Sequence, residues 1–223
     1  MLSVPLKYHE GHLFTTIDSY DWLLDTGAPA SFGKVSQLSV ENKIYNFPES
    51  YMGLTASALS EYVGHSTAGI IGADVLNNFD TLFDVPDGIV TFSELPLSLN
   101  GTVINTEEFM GIPIIDVKID GINRRMFFDS GAQTSYFQDD SLANFPVAGT
   151  ITDFFPGIGQ FQTETYHVDI NIAERIFTLR CGFLPGLLGM TLMMADTEGI
   201  IGSEILRNNK AGYFSRRKQL VIV

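Results

Sequence analysis

Two short segments carry the residue types of acid–base chemistry. Asp25-Thr26-Gly27-Ala28 recurs as Asp129-Ser130-Gly131-Ala132, at an offset of 104 residues. Each follows an apolar pair, Leu23-Leu24 or Phe127-Phe128, and each leads into a similar tail, Pro29-Ala30-Ser31-Phe32 or Gln133-Thr134-Ser135-Tyr136. A single Asp-Thr-Gly is a common turn, but two copies in matching surroundings predict that one carboxylate from each reaches a shared axis. Two carboxylates a few Å apart cannot both ionise cheaply, so they share one proton. The ionised partner can take a proton from water while the protonated one donates to a carbonyl oxygen. Gly27 and Gly131 permit the tight turn and let backbone N–H groups reach the carboxylates, and Thr26 and Ser130 can cross-brace the two turns through their hydroxyls. In the competing structural reading, the repeated turns only cap strands of a β-rich module, and the carboxylates lie far apart.

The duplication extends beyond these segments. Gly69-Ile70-Ile71-Gly72 recurs as Gly199-Ile200-Ile201-Gly202 at an offset of 130, and Asp87-Gly88-Ile89-Val90 matches Lys218-Gln219-Leu220-Val221. The growth from 104 to 130 places 26 extra residues between the two motifs of the second copy. Pro96, Asn100 and Gly101 interrupt the pattern and put the boundary in the 95–105 region. Short strands are predicted at Leu13–Ile17, Trp22–Leu24, Ile114–Ile119 and Met126–Phe128, with a hairpin turn at Asp120-Gly121. One or two helical turns are predicted at Val75–Asn78 and Ile205–Asn208, and short helices at Ala58–Val63 and Leu187–Met194.

The chain has 223 residues, 45% hydrophobic and 17% charged, which is ample for a core and excludes a disordered chain. Its 21 glycines and 17 phenylalanines favour short strands and many turns over long helices. The net charge of −13 argues against a nucleic-acid partner, since phosphate binding needs Lys and Arg. The most apolar stretch, Phe183–Ala195, is too short and too rich in Pro and Gly to span a bilayer. Met1 to Gly11 lacks a basic segment followed by an apolar stretch, so no leader is expected. The compartment stays open between the cytoplasm and, where a leader has been removed, the periplasm or the exterior. The lone Cys181 excludes an intrachain disulfide and a cysteine-based zinc site, and its place after a strand-like run predicts a buried thiol.

The paired Asp-Thr/Ser-Gly-Ala motifs, each with its later Gly-Ile-Ile-Gly, resemble the aspartic peptidases, and the resemblance covers nearly the whole chain. It implies an all-β acid-protease fold: two similar closed-barrel-like lobes, residues 1–98 and 99–223, related by pseudo-twofold symmetry. It implies an endopeptidase with Asp25 and Asp129 as catalytic residues, and with Thr26, Gly27, Ala28, Ser130, Gly131 and Ala132 supporting them. It also implies a peptide or protein substrate, no metal or organic cofactor, and a monomer, because one chain carries both motifs. Ala28 and Ala132 follow the retroviral pattern, whereas Pro29 and Gln133 stand where that pattern has an acidic residue. A catalytically inactive protease-like fold that binds peptides or proteins is the rival, disfavoured by the two intact Asp and Gly pairs.

Members of this family cover the substrate with a β-hairpin flap, and the 26 extra residues offer one. Phe155, Gly157, Ile158 and Gly159 lie at its tip, Phe154 and Phe161 flank them, and Gln162–Ile172 alternates like a strand. In the first half Ser50-Tyr51-Met52-Gly53-Leu54 is a shorter candidate. Gly157-Ile158-Gly159 lacks the third glycine and the βαβ setting of a dinucleotide fingerprint. Gly64-His65-Ser66-Thr67-Ala68 lacks the last glycine of a nucleophile elbow and reads as a structural loop. His9 and His12 read as a solvated strand edge, and Asp139-Asp140 as a solvated turn or helix cap.

Overall fold

The computed structural model describes every residue except Asp139, Leu187 and Leu188, together with the backbone but not the side chain of Asp140. The pair Asp139-Asp140, and the start of the helix predicted at 187, lie outside the described residues. The chain is mostly β, with a few short helices. No helix among the described residues is long and apolar enough to cross a membrane.

Strand Leu2–His9 changes partners midway. Leu2 to Pro5 pair with Ile89–Phe92, and Leu6 to His9 pair with His12–Thr15. Strand Thr102–Phe109 does the same: Thr102 to Asn105 pair with Gln219–Ile222, and Thr106 to Phe109 pair with Ile112–Ile115. Between these two lie Ile89–Ser93, Asp80–Asp84, Lys210–Phe214 and Gln219–Ile222, all antiparallel, so one continuous ribbon joins the first half to the second. At the central pairing, Asp80 is 1% exposed yet ionically paired with both Arg216 and Arg217, which supplies the compensation a buried carboxylate needs. Tyr213 donates its hydroxyl to Asn77 across the same junction at 2.7 Å.

The apolar faces of these strands share one core. Trp22, Phe79, Phe83 and Phe92 from the first half and Phe128, Phe137 and Tyr213 from the second belong to it. Period-two alternation is clearest in Gly159–Ile172, where Val168, Ile170 and Ile172 are buried while His167 and Asp169 face outward. Cys181 is buried in strand Arg175–Phe183, as expected.

The predicted strands form, with longer bounds: His12–Ile17, Tyr20–Leu24, Ile112–Ile119 and Ile122–Phe128. Three of the helical segments begin two residues before the expected start: Ala56–Tyr62, Ala73–Leu76, and a 3-10 turn at Ser203–Leu206. The second-half hairpin is much larger than its tip motif suggested, running from Val147–Phe155 into Gly159–Ile172. Its first-half counterpart is only Ser50–Tyr51 paired with Leu54–Thr55.

Candidate active site

Strand Tyr20–Leu24 delivers Asp25. Leu23 and Leu24 run parallel to Ile70 and Ile71, and Phe32–Gly33 lies antiparallel on the other side of that segment. In the second half Met126 to Phe128 run parallel to Gly199–Ile201, with Tyr136 and Phe137 on the far side. The Asp25 amide donates to the Ile71 carbonyl at 3.0 Å and the Asp129 amide to the Ile201 carbonyl at 2.9 Å. The apolar-Gly motifs therefore hold the strand ends from which both aspartates emerge.

Each carboxyl is gripped by its own turn. The amides of Gly27 and Ala28 donate to Asp25 Oδ1 at 2.9 and 2.8 Å. Those of Gly131 and Ala132 donate to Asp129 Oδ1 at 2.8 and 3.1 Å. The turns also grip each other. The Thr26 amide donates to Ser130 Oγ at 3.0 Å and the Ser130 amide to Thr26 Oγ1 at 2.9 Å. The two hydroxyls then donate to the Phe128 and Leu24 carbonyls. A side chain at Gly27 would collide with the Asp129 carboxyl, and one at Gly131 with that of Asp25. Glycine is required at both places by close approach, since each backbone lies against the opposite carboxyl.

The two carboxyls are brought together at the junction of the turns, Asp129 against Gly27 and Asp25 against Gly131, close enough for each to perturb the other. Burial, and then the charge of its partner, push Asp25 well above the ordinary carboxyl range. Burial also raises Asp129, against the pull of the hydrogen bond from Asp25 and of the backbone amides.

Both aspartates open into a cavity of about 300 Å³. Gly27, Ala28, Gly131 and Ala132 line it, while Thr26 and Ser130 are buried behind it. The rest is chiefly apolar. Tyr51, Met52 and Ile70 come from the first half, and Phe109, Met110, Ile112, Leu184 and Ile200 from the second. From the large hairpin come Phe154, Phe155, Pro156 and Phe161. No Lys or Arg is among the described residues that line it. Gly157, Ile158 and Gly159 lie outside that lining. They form the hairpin tip, where Gly157 approaches Met52 and Gly159 approaches Tyr62. Phe154 stacks on Tyr62 with ring centroids 5.3 Å apart, so the second-half hairpin packs onto the first-half helix.

Several participants carry no sequence signal of their own. Ser31 and Ser135, each six residues after its aspartate, accept the amides of Gly72 and Gly202 at 2.8 and 3.1 Å. Their shared spacing was visible, but a serine six residues past a turn has no distinctive chemistry. Asp153 and Tyr136 also line the cavity, with the Tyr136 hydroxyl donating to Asp153. The reading of His12 as solvated is corrected. It is 3% exposed, and its Nδ1 lies 2.9 Å from the Gly131 carbonyl. His9 is exposed, as expected. The 64–68 loop is structural: His65 pairs with Asp21, and the buried Thr67 donates to the Asp21 carbonyl.

Among the described residues no three His, Cys, Asp or Glu side chains are clustered as a metal ion would require. Compared with models of known protein families and with curated proteins, the chain matches none.

Proposed function

We propose that the chain is a single-chain aspartic endopeptidase of retropepsin-like type, cutting peptide bonds with a water activated between Asp25 and Asp129. The observation that carries this reading is the pair of juxtaposed carboxyls, each clamped by its own turn and lying against the glycine of the other, at one apolar cavity. The ionised carboxyl takes a proton from water as the oxygen attacks the peptide carbonyl carbon. The protonated carboxyl donates to the carbonyl oxygen, giving a neutral tetrahedral diol. Proton transfer to the amide nitrogen and return of a diol proton to the dyad break the C–N bond and release acid and amine. Preorganised amides that hold each Oδ1 keep the pair from reorienting during these transfers.

The same proposal covers the architecture: residues 1–98 and 99–223 as two barrel-like lobes about a pseudo-twofold axis. In support, the pairings of Leu2–His9 and Thr102–Phe109 correspond partner for partner. So do the parallel pairings that precede Asp25 and Asp129. The hairpin 147–172 puts Phe154, Phe155, Pro156 and Phe161 into the cavity lining and serves as the main flap from the second lobe.

The test is incubation of an unfolded protein substrate with the wild type, Asp25→Asn and Asp129→Asn between pH 3 and 8. It is paired with thermal melting in the presence of a statine-class inhibitor. Cleavage by the wild type alone and an inhibitor-dependent rise in melting temperature support the reading. A rise without cleavage supports the non-catalytic peptide-binding rival, and neither result sinks both.

A further inference from the structure

His12 is a buried titratable group that the dyad chemistry does not use. It opens strand His12–Ile17, directly after the turn at Glu10 and Gly11, whose φ values are 46° and 82°. The second half has the same turn, Met110 and Gly111 at 54° and 81°, and there the next residue is Ile112, whose side chain has no hydrogen-bonding atom. Histidine therefore stands at only one of two matching places, and it reaches across to the other half's aspartate turn.

Its Nδ1 contacts the Gly131 carbonyl oxygen at 2.9 Å. A carbonyl only accepts, so Nδ1 carries the proton. The peptide unit whose oxygen it grips is the one whose N–H belongs to Ala132, and that N–H donates to Asp129 Oδ1 at 3.1 Å. One amide is thus held at both ends, by His12 on its oxygen and by Asp129 on its hydrogen. Hydrogen bonds in such a chain polarise one another, so donation to the oxygen strengthens donation from the N–H. The groups facing His12 are Asp153 from the hairpin, Asp129 from its turn and His9 from strand Leu2–His9. The rings of Phe14 and Phe154 pack beside it at 6.3 and 6.4 Å.

We propose that His12 is a positioning residue for Asp129, acting through the Gly131–Ala132 peptide unit to orient that unit and to favour the Asp129 carboxylate. The proposal rests on the reading of Asp25 and Asp129 as an acid–base pair. His12 is not among the residues that line the cavity, so it acts from behind the Asp129 turn. It makes the dyad's two sides unequal, because Asp25 has no histidine at the corresponding place.

The experiment has a kinetic arm and a spectroscopic arm. His12→Leu removes the donor, so kcat falls about tenfold while KM moves little. Its acid limb moves to higher pH, because a carboxylate that loses a polarised amide is harder to ionise. His12→Asn, whose side-chain amide donates from nearly the same place, restores most of kcat and shifts the limb back. Wild-type kcat and pH profile in His12→Leu, or equal losses in both variants, would overturn the proposal. The second arm is 15N NMR of the imidazole rings in the wild type, with His12 identified by its absence from His12→Asn. The Nδ1–H tautomer is expected, with a midpoint that drops in Asp129→Asn. An Nε2–H tautomer, or a midpoint indifferent to Asp129, overturns the proposal whatever the kinetics. A wild type that cleaves nothing sinks the endopeptidase reading instead, and the NMR arm then decides the His12–Asp129 coupling alone.

Discussion

Thr26 and Ser130 exchange hydrogen bonds across the junction of the two turns, each hydroxyl accepting the other's amide and donating to a carbonyl of the other's strand. Both residues are 0% exposed. Removing either hydroxyl strands one buried amide and one buried carbonyl, and such orphaned groups cost about 1–3 kcal/mol each. Thr26→Val and Ser130→Ala should therefore each lose about 2–4 kcal/mol by urea unfolding. Thr26→Ser, which keeps the hydroxyl, should lose little. A Ser130→Ala variant as stable as the wild type would show that the crossing does not fasten the two halves.

The dyad also has a stability signature. Burial raises both Asp25 and Asp129 above their unfolded values, so the folded protein binds protons that the unfolded chain releases. The contribution is fully present below the unfolded value of about 4 and declines as pH climbs towards the folded values. Asp25→Asn removes one of the competing charges. Its melting temperature should match the wild type below about pH 4 and exceed it increasingly towards neutrality. A wild-type-to-variant difference that stays constant with pH would contradict this assignment.

The proposed mechanism needs one proton kept on the pair. With both carboxyls ionised, no donor remains for the carbonyl oxygen, so cleavage should be best in acid and fade as the second proton leaves. Asp25→Asn and Asp129→Asn should each reduce turnover at least about a hundredfold while remaining folded. A rate still climbing above about pH 8, or a single Asn variant with substantial turnover, is incompatible with a shared proton.

The Tyr136 hydroxyl ties the tip end of the hairpin to the strand that follows the Asp129 turn, through Asp153. Asp153 is 7% exposed, and its other oxygen accepts the Phe154 amide at 2.8 Å. Tyr136→Phe keeps the ring but leaves the buried carboxyl one donor short, at about 1–3 kcal/mol. Phenylalanine already stands at the matching first-half position, Phe32. The variant should raise KM more than it lowers kcat and should speed amide exchange in residues 147–172. Unchanged exchange there would show that this bond does not hold the hairpin.

The dyad is legible in the sequence because duplication exposes its spacing, and the hairpin because its insertion breaks that spacing. His12 is not legible, since its contact lies 119 residues away and a lone histidine beside a turn says nothing about which carbonyl its ring will meet. The Tyr136–Asp153 bond is hidden for the same reason. Strand Leu2–His9 escapes a local reading because it changes partner after Pro5. The helical turn expected at Val75 starts at Ala73 because Gly72 precedes it without any side-chain cap, which leaves no residue type to mark the start. Periodicity reports burial along one element, whereas these contacts depend on how distant elements meet.

Closure over the cavity should depend on the hairpin tip. Gly157 and Gly159 have φ of 82° and 85°, a region that β-branched residues rarely enter. A Cβ at Gly157 would sit 3.4 Å from Met52 Cε and one at Gly159 3.9 Å from Tyr62 Oη, so space is adequate and the backbone angle is the obstacle. Valine at both places would push the tip towards another turn geometry and draw Phe154 to Pro156 away from the aspartates. Gly157 is exposed and the tip contributes little to the main core, so global unfolding should hardly change. Gly157→Val with Gly159→Val should therefore lower kcat/KM about tenfold or more, since an open hairpin neither excludes water nor positions the peptide. The melting temperature should stay within a degree or two of the wild type, as about 1 kcal/mol corresponds to only a few degrees in a chain of this size. Undiminished kcat/KM would mean that peptide is held without the tip. A large fall in melting temperature would mean that the hairpin is part of the folding core instead of a lid.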